Sequence, residues 1–294
     1  MSNTIGKKAF SISILVIIIF AVWYLAALIM NGNQLIHNLE RKHQSWTYSQ
    51  IIDQAYTIKR PMLPTPGQVA RELKRSVIDK PVTSKRSLIY HAQITLNSTL
   101  LGFVFGSILG ILIAVAIVHN KTLESSLMPW VIASQTIPIL AIAPIIVVVL
   151  GAVNITGVLP KAIISMYLSF FPVTIAMVKG LRSSDKLHEE LMTTYSASAK
   201  DIFWKLRWYS AQPYLFSSLK VAIAAALVGA VVAELPTGAQ GGLGSRLLSG
   251  SYYGQTEQIW AALVVAAVLG SLLVWIVGLA EKALLRRRGG LTHD

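Results

Sequence analysis

Six long apolar runs limit what this chain can fold into more than any other feature of its sequence. The runs lie at roughly Ala9–Met30, Gln93–Val118, Leu127–Leu150, Pro160–Val178, Pro213–Leu235 and Ile259–Ala280. A hydrocarbon core of about 30 Å is crossed by about 20 helical residues, and each run comes near that length. Backbone polar groups must be paired inside lipid, and continuous rather than alternating apolarity favours helices over a barrel. The pattern therefore predicts an all-α integral membrane protein with six transmembrane helices.

Composition and charge also indicate a membrane protein and exclude several kinds of site. Only 13% of the residues are charged, whereas soluble domains carry about 25%. A net charge of +13 would indicate a nucleic-acid partner in a soluble chain. Here we interpret it as Lys and Arg flanking the spans, and we expect no nucleic acid. Because there is no cysteine, a disulfide, a thiol nucleophile and a cysteine metal site are excluded.

The first apolar run resembles a secretion signal superficially, because Lys7 and Lys8 precede it. Ala9–Met30 contains 22 uncharged residues, which is longer than a usual signal core, and no small-residue cleavage motif follows it. We therefore interpret the run as a retained first span.

Basic residues between the runs predict which side of the membrane each loop occupies. The positive-inside rule places the loops rich in Lys and Arg, and both termini, in the cytoplasm. These basic positions are Lys121, Lys179, Arg182, Lys186, Lys200, Lys205, Arg207, Lys282, Arg286, Arg287 and Arg288. The segment 31–92 disagrees, since it contains ten Lys or Arg and falls outside. A loop of about 60 residues is at the limit of the rule, so we keep this topology for a multi-pass protein of the bacterial cytoplasmic (inner) membrane.

The segment between the first two spans contains a predicted amphipathic helix. Thr65 is a candidate N-cap, Pro66 stands at the first helical position, and Val69, Leu73 and Val77 follow at helical spacing. Such a helix lies on the membrane surface or packs on the outer helix ends. The predicted division is a cytoplasmic tail and first span (1–30), an extracytoplasmic segment (31–90), a transmembrane domain (91–283, with a cytoplasmic loop at 183–212) and a basic cytoplasmic tail (284–294).

Two spans carry small or rigid residues at informative positions. The second span has glycines four residues apart, at Gly102, Gly106 and Gly110. This spacing lets two helix backbones approach closely, so we expect packing there rather than chemistry. The third span contains Pro129, Pro138 and Pro144. Each proline removes an amide donor, and we expect kinks.

The loop at 183–212 is longer than a connection between two spans requires. Laid out as a helix, its apolar residues fall near one stripe that is interrupted around Ser196–Ser198: Leu187, Leu191, Tyr195, Ile202, Phe203 and Leu206. Glu189 and Glu190 follow Asp185 in the first turn, where negative charge suits a helix N-terminus. The pattern predicts two short amphipathic helices with a break between them. Their apolar stripe must be covered by the protein's own helix ends or by a partner protein.

This loop resembles the cytoplasmic coupling loop of binding-protein-dependent ABC importer permeases. The family pattern is Glu-Ala-Ala, then a glycine, then a hydrophobic-Leu-Pro. Glu190 matches the acid, Ser196 stands at the glycine, "KDIFWKL" matches the coupling helix, and Trp208-Tyr209 replace Leu-Pro. The resemblance extends from His91 to the C-terminus and includes "SLMPWVIASQTIPILAIAPIIVVVLG" and "VAELPTGAQGGLGSRLLSGSYY". Within the permeases the chain is most similar to the nitrate/sulfonate/taurine group, which also takes up vitamin precursors, and this implies a type I importer permease fold.

The resemblance implies a mechanism and a set of partners. Two permease subunits, a homodimer being favoured over a heterodimer, share one pathway, and an extracytoplasmic substrate-binding protein delivers the solute. Each coupling helix docks on a cytoplasmic ABC ATPase dimer, whose closure on ATP switches the pathway. No cofactor is expected on this chain, because ATP and Mg belong to the ATPase. The chain lacks the phosphate loop G-x-x-x-x-G-K-[ST] and is not expected to be an enzyme. The residues expected to couple to the ATPase are Glu190, Ser196, Ala197, Ser198, Lys200, Asp201, Phe203 and Lys205.

Polar residues in the spans are the candidates for contact with solute. Glu234 ends the apolar run of the fifth span, and an ionisable residue at membrane depth is a functional-site hypothesis. The alternative is an interfacial acid that binds amides of the glycine-rich loop at 237–244. Gln135 and Thr136 face the pathway or bond a neighbouring helix, and Tyr167 is a weaker candidate. The six histidines show no metal spacing, so we expect no metal and interpret them as surface residues.

Two rival functions stay open at this point. A secondary transporter or channel would need no ATPase, but we find no convincing inverted repeat and no role there for the amphipathic loop. A membrane-embedded enzyme needs clustered acids, histidines or metal ligands at membrane depth, where Glu234 is the one acid. The sequence therefore predicts the permease subunit of an ATP-driven importer. Its solute would be of the nitrate, sulfonate or taurine, or vitamin-precursor class.

Overall fold

The computed structural model of the chain describes residues 2–236 and 241–286, and within them every regular element is helical. The helices are α1 Ser2–Arg41, α2 Tyr48–Ala55, α3 Pro66–Leu73, α4 Leu88–His119, α5 Lys121–Ala133, α6 Ile139–Ala152, α7 Val158–Leu181, α8 Lys186–Thr194, α9 Ala199–Ile202, α10 Trp208–Glu234, α11 Leu243–Tyr252 and α12 Thr256–Arg286. Wider π-helical turns follow α3 and join α9 to α10. Most of the predicted basic tail, and loop residues 237–240, lie outside the described residues.

Five helical segments are long and apolar enough to cross a membrane, and a sixth apolar helix is shorter. The long segments are Phe10–Arg41, Leu88–His119, Val158–Leu181, Ala199–Glu234 and Thr256–Leu284, and the shorter helix is Ile139–Ala152. The predicted all-α membrane fold is confirmed.

The third predicted span needs a correction, because Leu127–Leu150 is not one helix. It is divided between α5 and α6, and residues Ser134–Pro138 separate the two. Pro138 lies in extended backbone just before α6. A proline has no amide to donate, and its ring disfavours helical backbone in the residue before it, which explains a break here rather than the expected kink. The two other prolines of this segment, Pro129 and Pro144, lie inside α5 and α6.

The described chain divides into two compact units. The first, the N-terminal unit, comprises Met1–Tyr90 and Arg246–Val264, and the second, the central unit, comprises His91–Ser245 and Val265–Asp294. The domain division expected from the sequence stays a prediction.

In the N-terminal unit, the segment after α1 folds back onto that helix. The side chain of Asn31 is fully buried, donates to the carbonyls of Ala55 and Leu63, and accepts from the Leu63 amide. Trp23 Nε1 donates to the Pro64 carbonyl at 3.0 Å. Side-chain bonds of this kind satisfy loop backbone groups that no regular element pairs.

The predicted amphipathic helix is confirmed as α3. Thr65 is its N-cap, Pro66 is its first residue, and Thr65 and Gln68 form a reciprocal capping box. Val69 is 4% exposed. The apolar side of the helix therefore packs on its own protein, which was one of the two expected positions.

The central unit is built around α4, α7 and α10. The predicted close packing of the α4 glycines is confirmed, because a Cβ on Gly102 would lie 2.2 Å from Ser165 Cβ and one on Gly106 would lie 2.0 Å from Ser169 Oγ. Ser169 Oγ also donates to the Gly102 carbonyl across the seam. The buried core that α4, α7 and α10 share contains Ala114, Ile117, Val173, Met177, Val178, Leu181, Ala211 and Ala222. The seam of small residues thus lets α4 and α7 approach backbone to backbone.

Candidate functional site

The 183–212 hairpin has the two helices and the break that its sequence predicts. Asp185 caps α8 by accepting from the Leu187 amide at 3.0 Å. After α8 the chain reverses at Ser196, whose φ is +56°. Ser198 then caps the next helix by accepting from the Asp201 amide at 3.2 Å. The left-handed region is the one that glycine adopts at no steric cost, which agrees with the glycine expected at this position from the coupling-loop pattern.

The two arms of the hairpin are joined by a bidentate ion pair. Arg207 Nε and Nη2 donate to the two carboxylate oxygens of Glu189 at 2.9 and 3.0 Å. Ser184 Oγ donates to the same carboxylate. The Arg207 guanidinium holds the pKa of the Glu189 carboxyl below its usual range. The sequence pattern indicates Glu190 as the functional acid and Glu189 as a helix-end charge, and it gives no sign of the pair with Arg207. A partner 18 residues away gives no local signal.

The expected coupling residues have two different environments. Glu190, Ser196, Ser198, Lys200 and Lys205 are exposed, while Ala197, Asp201 and Phe203 are half-buried. The coupling role of these residues stays a prediction.

Phe203 and Trp204 differ in exposure, although their rings contact each other edge to face at 5.1 Å. The Phe203 ring lies 5.1 Å from the His119 ring and packs on the core. Trp204 is 51% exposed. Phe203 therefore anchors the hairpin, whereas Trp204 is available to a partner.

A ridge of large apolar side chains is exposed on the hairpin. We call Leu187, Leu191, Tyr195 and Trp204 the hairpin ridge; they are 69, 52, 80 and 51% exposed. Three of its members recur every four residues, which was the available sequence signal. An apolar ridge of this size beside charged neighbours is typical of a protein interaction site.

A second ion pair holds α5 against the end of α7. Arg182 Nη1 and Nη2 donate to the Glu124 carboxylate at 2.9 and 2.7 Å. The hydrogen bond from Arg182 keeps the pKa of the Glu124 carboxyl below its usual range. The pair fixes the start of α5 beside the start of the hairpin.

At the other end of α10, Glu234 lies inside a buried polar cluster. Its carboxylate is 0% exposed and accepts from Thr95 Oγ1 at 2.9 Å and from the Gly244 amide at 2.9 Å. Lys161 Nζ lies 3.9 Å from Glu234 Oε1 and donates to the Gly241 carbonyl at 2.9 Å. Four separate parts of the central unit therefore meet at one acid–base pair.

The loop that follows α10 depends on glycine where it passes this cluster. Gly242 has φ +119°, and a Cβ there would lie 2.1 Å from Glu234 Cδ. The Gly242 amide donates to His91 Nδ1, and the Leu243 amide donates to Thr95 Oγ1. Only a residue without a side chain fits between the backbone and the carboxylate.

The surroundings of Glu234 favour the second of its two expected roles. The carboxylate binds the glycine-rich loop, and contact with solute stays a prediction. Thr95 and Lys161 are not among the residues expected from the sequence, and the expectation that His91 lies at the surface is wrong. His91 is 6% exposed and accepts from the Gly242 amide of the loop. A histidine, a threonine and a lysine standing singly in the sequence gave no sign that they converge.

The other pathway candidates lie at the break between α5 and α6. Gln135 and Thr136 are exposed, and Thr136 Oγ1 donates to the Ala133 carbonyl at 2.8 Å. Tyr167 OH donates to the Ser134 carbonyl, so α7 supports one of the backbone groups that the break releases. Gln135 is exposed at the break between α5 and α6, where the helix hydrogen-bond pattern is interrupted. Its contact with solute stays a prediction.

Comparison with known proteins identifies transport permeases. A 31% identical relative is the formylaminopyrimidine transport permease protein ThiX of Halalkalibacterium halodurans, with 72% of this chain and 80% of the relative covered. The riboflavin transport system permease protein RibX of Chloroflexus aurantiacus is 30% identical over 76% of this chain and 80% of its own. The putative aliphatic sulfonates transport permease protein SsuC of Bacillus subtilis is 27% identical over 81% of this chain and 83% of its own.

A family profile matches the same part of the chain. The family described as "Binding-protein-dependent transport system inner membrane component" matches residues 106–289, which include α7, the hairpin and α10. The match covers more than half of the chain. The protein therefore belongs to this family of ABC transporter permeases, as the hairpin motif had indicated.

Proposed function

We propose that this chain is the permease subunit of an ATP-driven importer and that its hairpin docks on a cytoplasmic ABC ATPase dimer. ATP and Mg would be bound by that partner, and both termini of this chain would lie in the cytoplasm. The observation that carries the proposal is the hairpin ridge, four exposed large apolar side chains on a braced helical hairpin. A ridge of this kind loses its unfavourable contact with water when a partner's groove covers it.

The second arm of the hairpin is continuous with a membrane-spanning helix, so a movement of the hairpin would be transmitted into the membrane. α9 continues through a π-helical turn into α10 without a loop, so the second arm and the spanning helix form one rod. The Glu189–Arg207 pair ties the first arm to that rod. A displacement of the ridge by a closing ATPase would therefore move α10, whose far end carries Glu234.

The far end of α10 is the point at which such a movement would change the pathway. Glu234 holds the glycine-rich loop, α4 and α7 together through Gly244, Thr95 and Lys161. Shifting α10 would strain all of these bonds at once. We propose that this cluster keeps one conformation of the pathway closed and reorganises when the ATPases close.

For the solute, the names of the relatives support a small polar molecule. Those proteins are named for transport of a formylaminopyrimidine, riboflavin and aliphatic sulfonates. We propose a solute of the nitrate, sulfonate or taurine, or vitamin-precursor class, delivered by an extracytoplasmic binding protein to a pathway shared by two permease subunits, a homodimer being favoured. Gln135 and Thr136 at the helix break, together with Tyr167, are the proposed pathway residues.

The test is co-purification from native membranes in mild detergent, followed by an assay for ATP hydrolysis. The variant Leu191→Asp/Tyr195→Asp should lose the co-purifying ATPase, because charge on the ridge must be desolvated in the interface. The matched control Thr193→Asp/Thr194→Asp adds the same charge to exposed residues of the same helix outside the ridge. Charge reversal in Glu190→Lys should uncouple ATP use from transport.

Two results would contradict this function. A pure and stable wild-type chain without an ATPase would favour a secondary transporter or channel. Retention of the ATPase by the ridge variant, with loss in the control, would move the docking surface elsewhere on the hairpin.

A further inference from the structure

A basic cleft of about 440 Å³ opens in the N-terminal unit, and none of the residues discussed above as pathway or coupling candidates lines it. Six cationic side chains line it: Lys59, Arg60, Arg75, Lys80, Arg86 and Arg246. The acids in its lining are Glu72 and Glu257. The lining therefore carries an excess of four positive charges, and an excess of this size concentrates anions.

Most of these cations have no acid to neutralise them. Glu72 lies 3.7 Å from Arg75. Among residues 10–236 and 241–284, no carboxylate lies within 4.0 Å of Lys59, Arg60, Lys80, Arg86 or Arg246. Like charges brought together with few counter-charges repel each other, so a bound anion would stabilise the arrangement.

Arg246 is held in place by the protein, and no carboxylate in the described chain forms an ion pair with it. Its Nη2 donates to Gln258 Oε1 at 2.9 Å, and Gln258 is held in turn by the Arg246 carbonyl and Ser249. Its Nε is buried without a hydrogen-bond partner in the described chain. Burial lowers the pKa of Arg246, and the attraction of the Glu72 carboxylate opposes this shift without cancelling it. The guanidinium is thus oriented by the protein and left for an external acceptor.

The location of the cleft indicates which anion it meets. The lining of the cleft includes the start of α12, since it contains Thr256, the first residue of that helix, with Gly254, Gln255 and Gln258 beside it. From Thr256 onward α12 is a membrane span. The end of a span lies at the level of the lipid headgroups. In the same unit, α1 exposes nearly all of its apolar side chains, as a helix surrounded by lipid does.

The charge of this segment also needs an explanation. The segment 31–92 contains ten Lys or Arg, although the predicted topology places it on the side where the positive-inside rule expects few. Five of the ten line the cleft. A binding function for these five accounts for basic residues that topology alone does not explain.

We propose that this cleft binds the phosphate of an anionic phospholipid headgroup in the leaflet where α12 begins. Basic clefts beside transmembrane helices recognise such headgroups by charge and by hydrogen bonds to phosphate oxygens. Arg246 at the floor provides an oriented guanidinium, and Lys59 and Arg86 at the rim provide exposed charges. A bound headgroup would anchor the N-terminal unit to the membrane surface. The proposal depends on the membrane assignment alone and not on the proposed transport function.

The test is native mass spectrometry of the full chain in detergent with added phosphatidylglycerol or phosphatidylcholine. The wild type should retain phosphatidylglycerol in preference to phosphatidylcholine, and excess inorganic phosphate should displace it. The rim variant Lys59→Gln/Arg86→Gln should bind phosphatidylglycerol about thirtyfold more weakly. The matched control Arg41→Gln/Lys42→Gln removes two charges from the same unit outside the cleft and should leave the affinity unchanged.

Further outcomes decide between sources of the anion. Equal retention of the two lipids by the wild type, or equal loss in rim variant and control, would overturn the proposal without any demand on variant folding. Displacement of phosphatidylglycerol by taurine or nitrate at lower concentration than by phosphate would also overturn it, and would identify a site for solute. Arg246→Gln should weaken binding further than either rim charge alone.

Discussion

The two ends of α10 each carry an acid–base pair, and the two pairs differ in burial and in the distance between the charged atoms. At one end Glu189 and Arg207 are partly exposed and joined by two hydrogen bonds of 2.9 and 3.0 Å. At the other end Glu234 and Lys161 are 0 and 1% exposed and 3.9 Å apart. Exposed pairs contribute about 0–1 kcal/mol, whereas removing one partner of a buried pair costs about 3–5 kcal/mol.

Burial, more than hydrogen-bond geometry, determines the free-energy cost of breaking each ion pair. The hairpin pair has the better geometry, but it is partly exposed, so water can solvate either partner when the other is lost. The pair at Glu234 has the poorer geometry, but neither charge has access to water if the other is lost. We expect the hairpin pair to control movement and the buried pair to control folding.

The largest effect is expected for Lys161→Met. It leaves the Glu234 carboxylate buried without a cation and should lower the free energy of unfolding by about 4 kcal/mol. Thermal unfolding of the purified protein in detergent measures this. The double variant Lys161→Met/Glu234→Gln removes both charges and should recover part of the loss. A double variant as unstable as the single one would show that the ion pair is not the stabilising contact.

The next largest effect is expected for Gly242→Ala. The new Cβ would overlap Glu234 Cδ at 2.1 Å, and the backbone has φ +119°, so we expect a loss of about 3 kcal/mol. The control Gly254→Ala also has positive φ, at +62°, but nothing lies within 4 Å of its Cβ. It should lose about 1 kcal/mol, which isolates backbone strain from overlap. Equal losses in thermal unfolding would contradict the overlap.

A smaller effect of opposite sign is expected for Ser196→Gly in the hairpin. Glycine relieves the left-handed strain at φ +56° and should stabilise the hairpin by about 1 kcal/mol. Slower hydrogen exchange of the α8 amides in Ser196→Gly would demonstrate this stabilisation. Thr193→Gly, inside α8, should instead speed exchange, since glycine weakens a helix interior by about 0.5 kcal/mol relative to other residues. Faster hydrogen exchange in Ser196→Gly would contradict the claim that the backbone at Ser196 is strained.

The smallest stability effect is expected for Glu189→Gln, at about 1 kcal/mol or less. The neighbouring Glu190→Gln, whose side chain is exposed, is the matched control and should leave hairpin exchange unchanged. If the proposed function holds, Glu189→Gln should nevertheless reduce solute uptake per ATP hydrolysed. A stability loss as large as that of Lys161→Met would contradict the comparison between the two pairs.

The same pair predicts a dependence on pH. Because Arg207 lowers the pKa of Glu189, the folded hairpin releases this proton more readily than the unfolded one. The contribution is complete above the usual pKa of a glutamate and is lost as the pH falls through the lowered value. Hydrogen exchange of the wild-type hairpin should therefore speed up in acid, and Glu189→Gln should remove that part of the change. An identical acid response in both proteins would contradict the role of this carboxyl.

Features that depend on neighbours along the chain were predictable. The apolar runs, the Thr65–Pro66 helix start, the glycine seam at Gly102 and Gly106, and the interruption near Ser196 all follow from local preferences. The family of the hairpin was predictable for the same reason, because its motif is contiguous. The division of the third span was only partly foreseen, since a proline indicates irregularity without deciding between a kink and a break.

Features that depend on distant partners were not predictable in this way. Glu234 was identified as unusual, but its partners Thr95 and Lys161 are 139 and 73 residues away, and no periodicity connects them. The Glu189–Arg207 ion pair could not be predicted for a related reason, because the adjacent acids Glu189 and Glu190 have the same local preferences. Hydropathy and local turn chemistry were enough to predict membrane helices and a hairpin, since both act within a few residues. The meaning of each charge depended on burial and on which side chains the helices bring together, and only packing decides these.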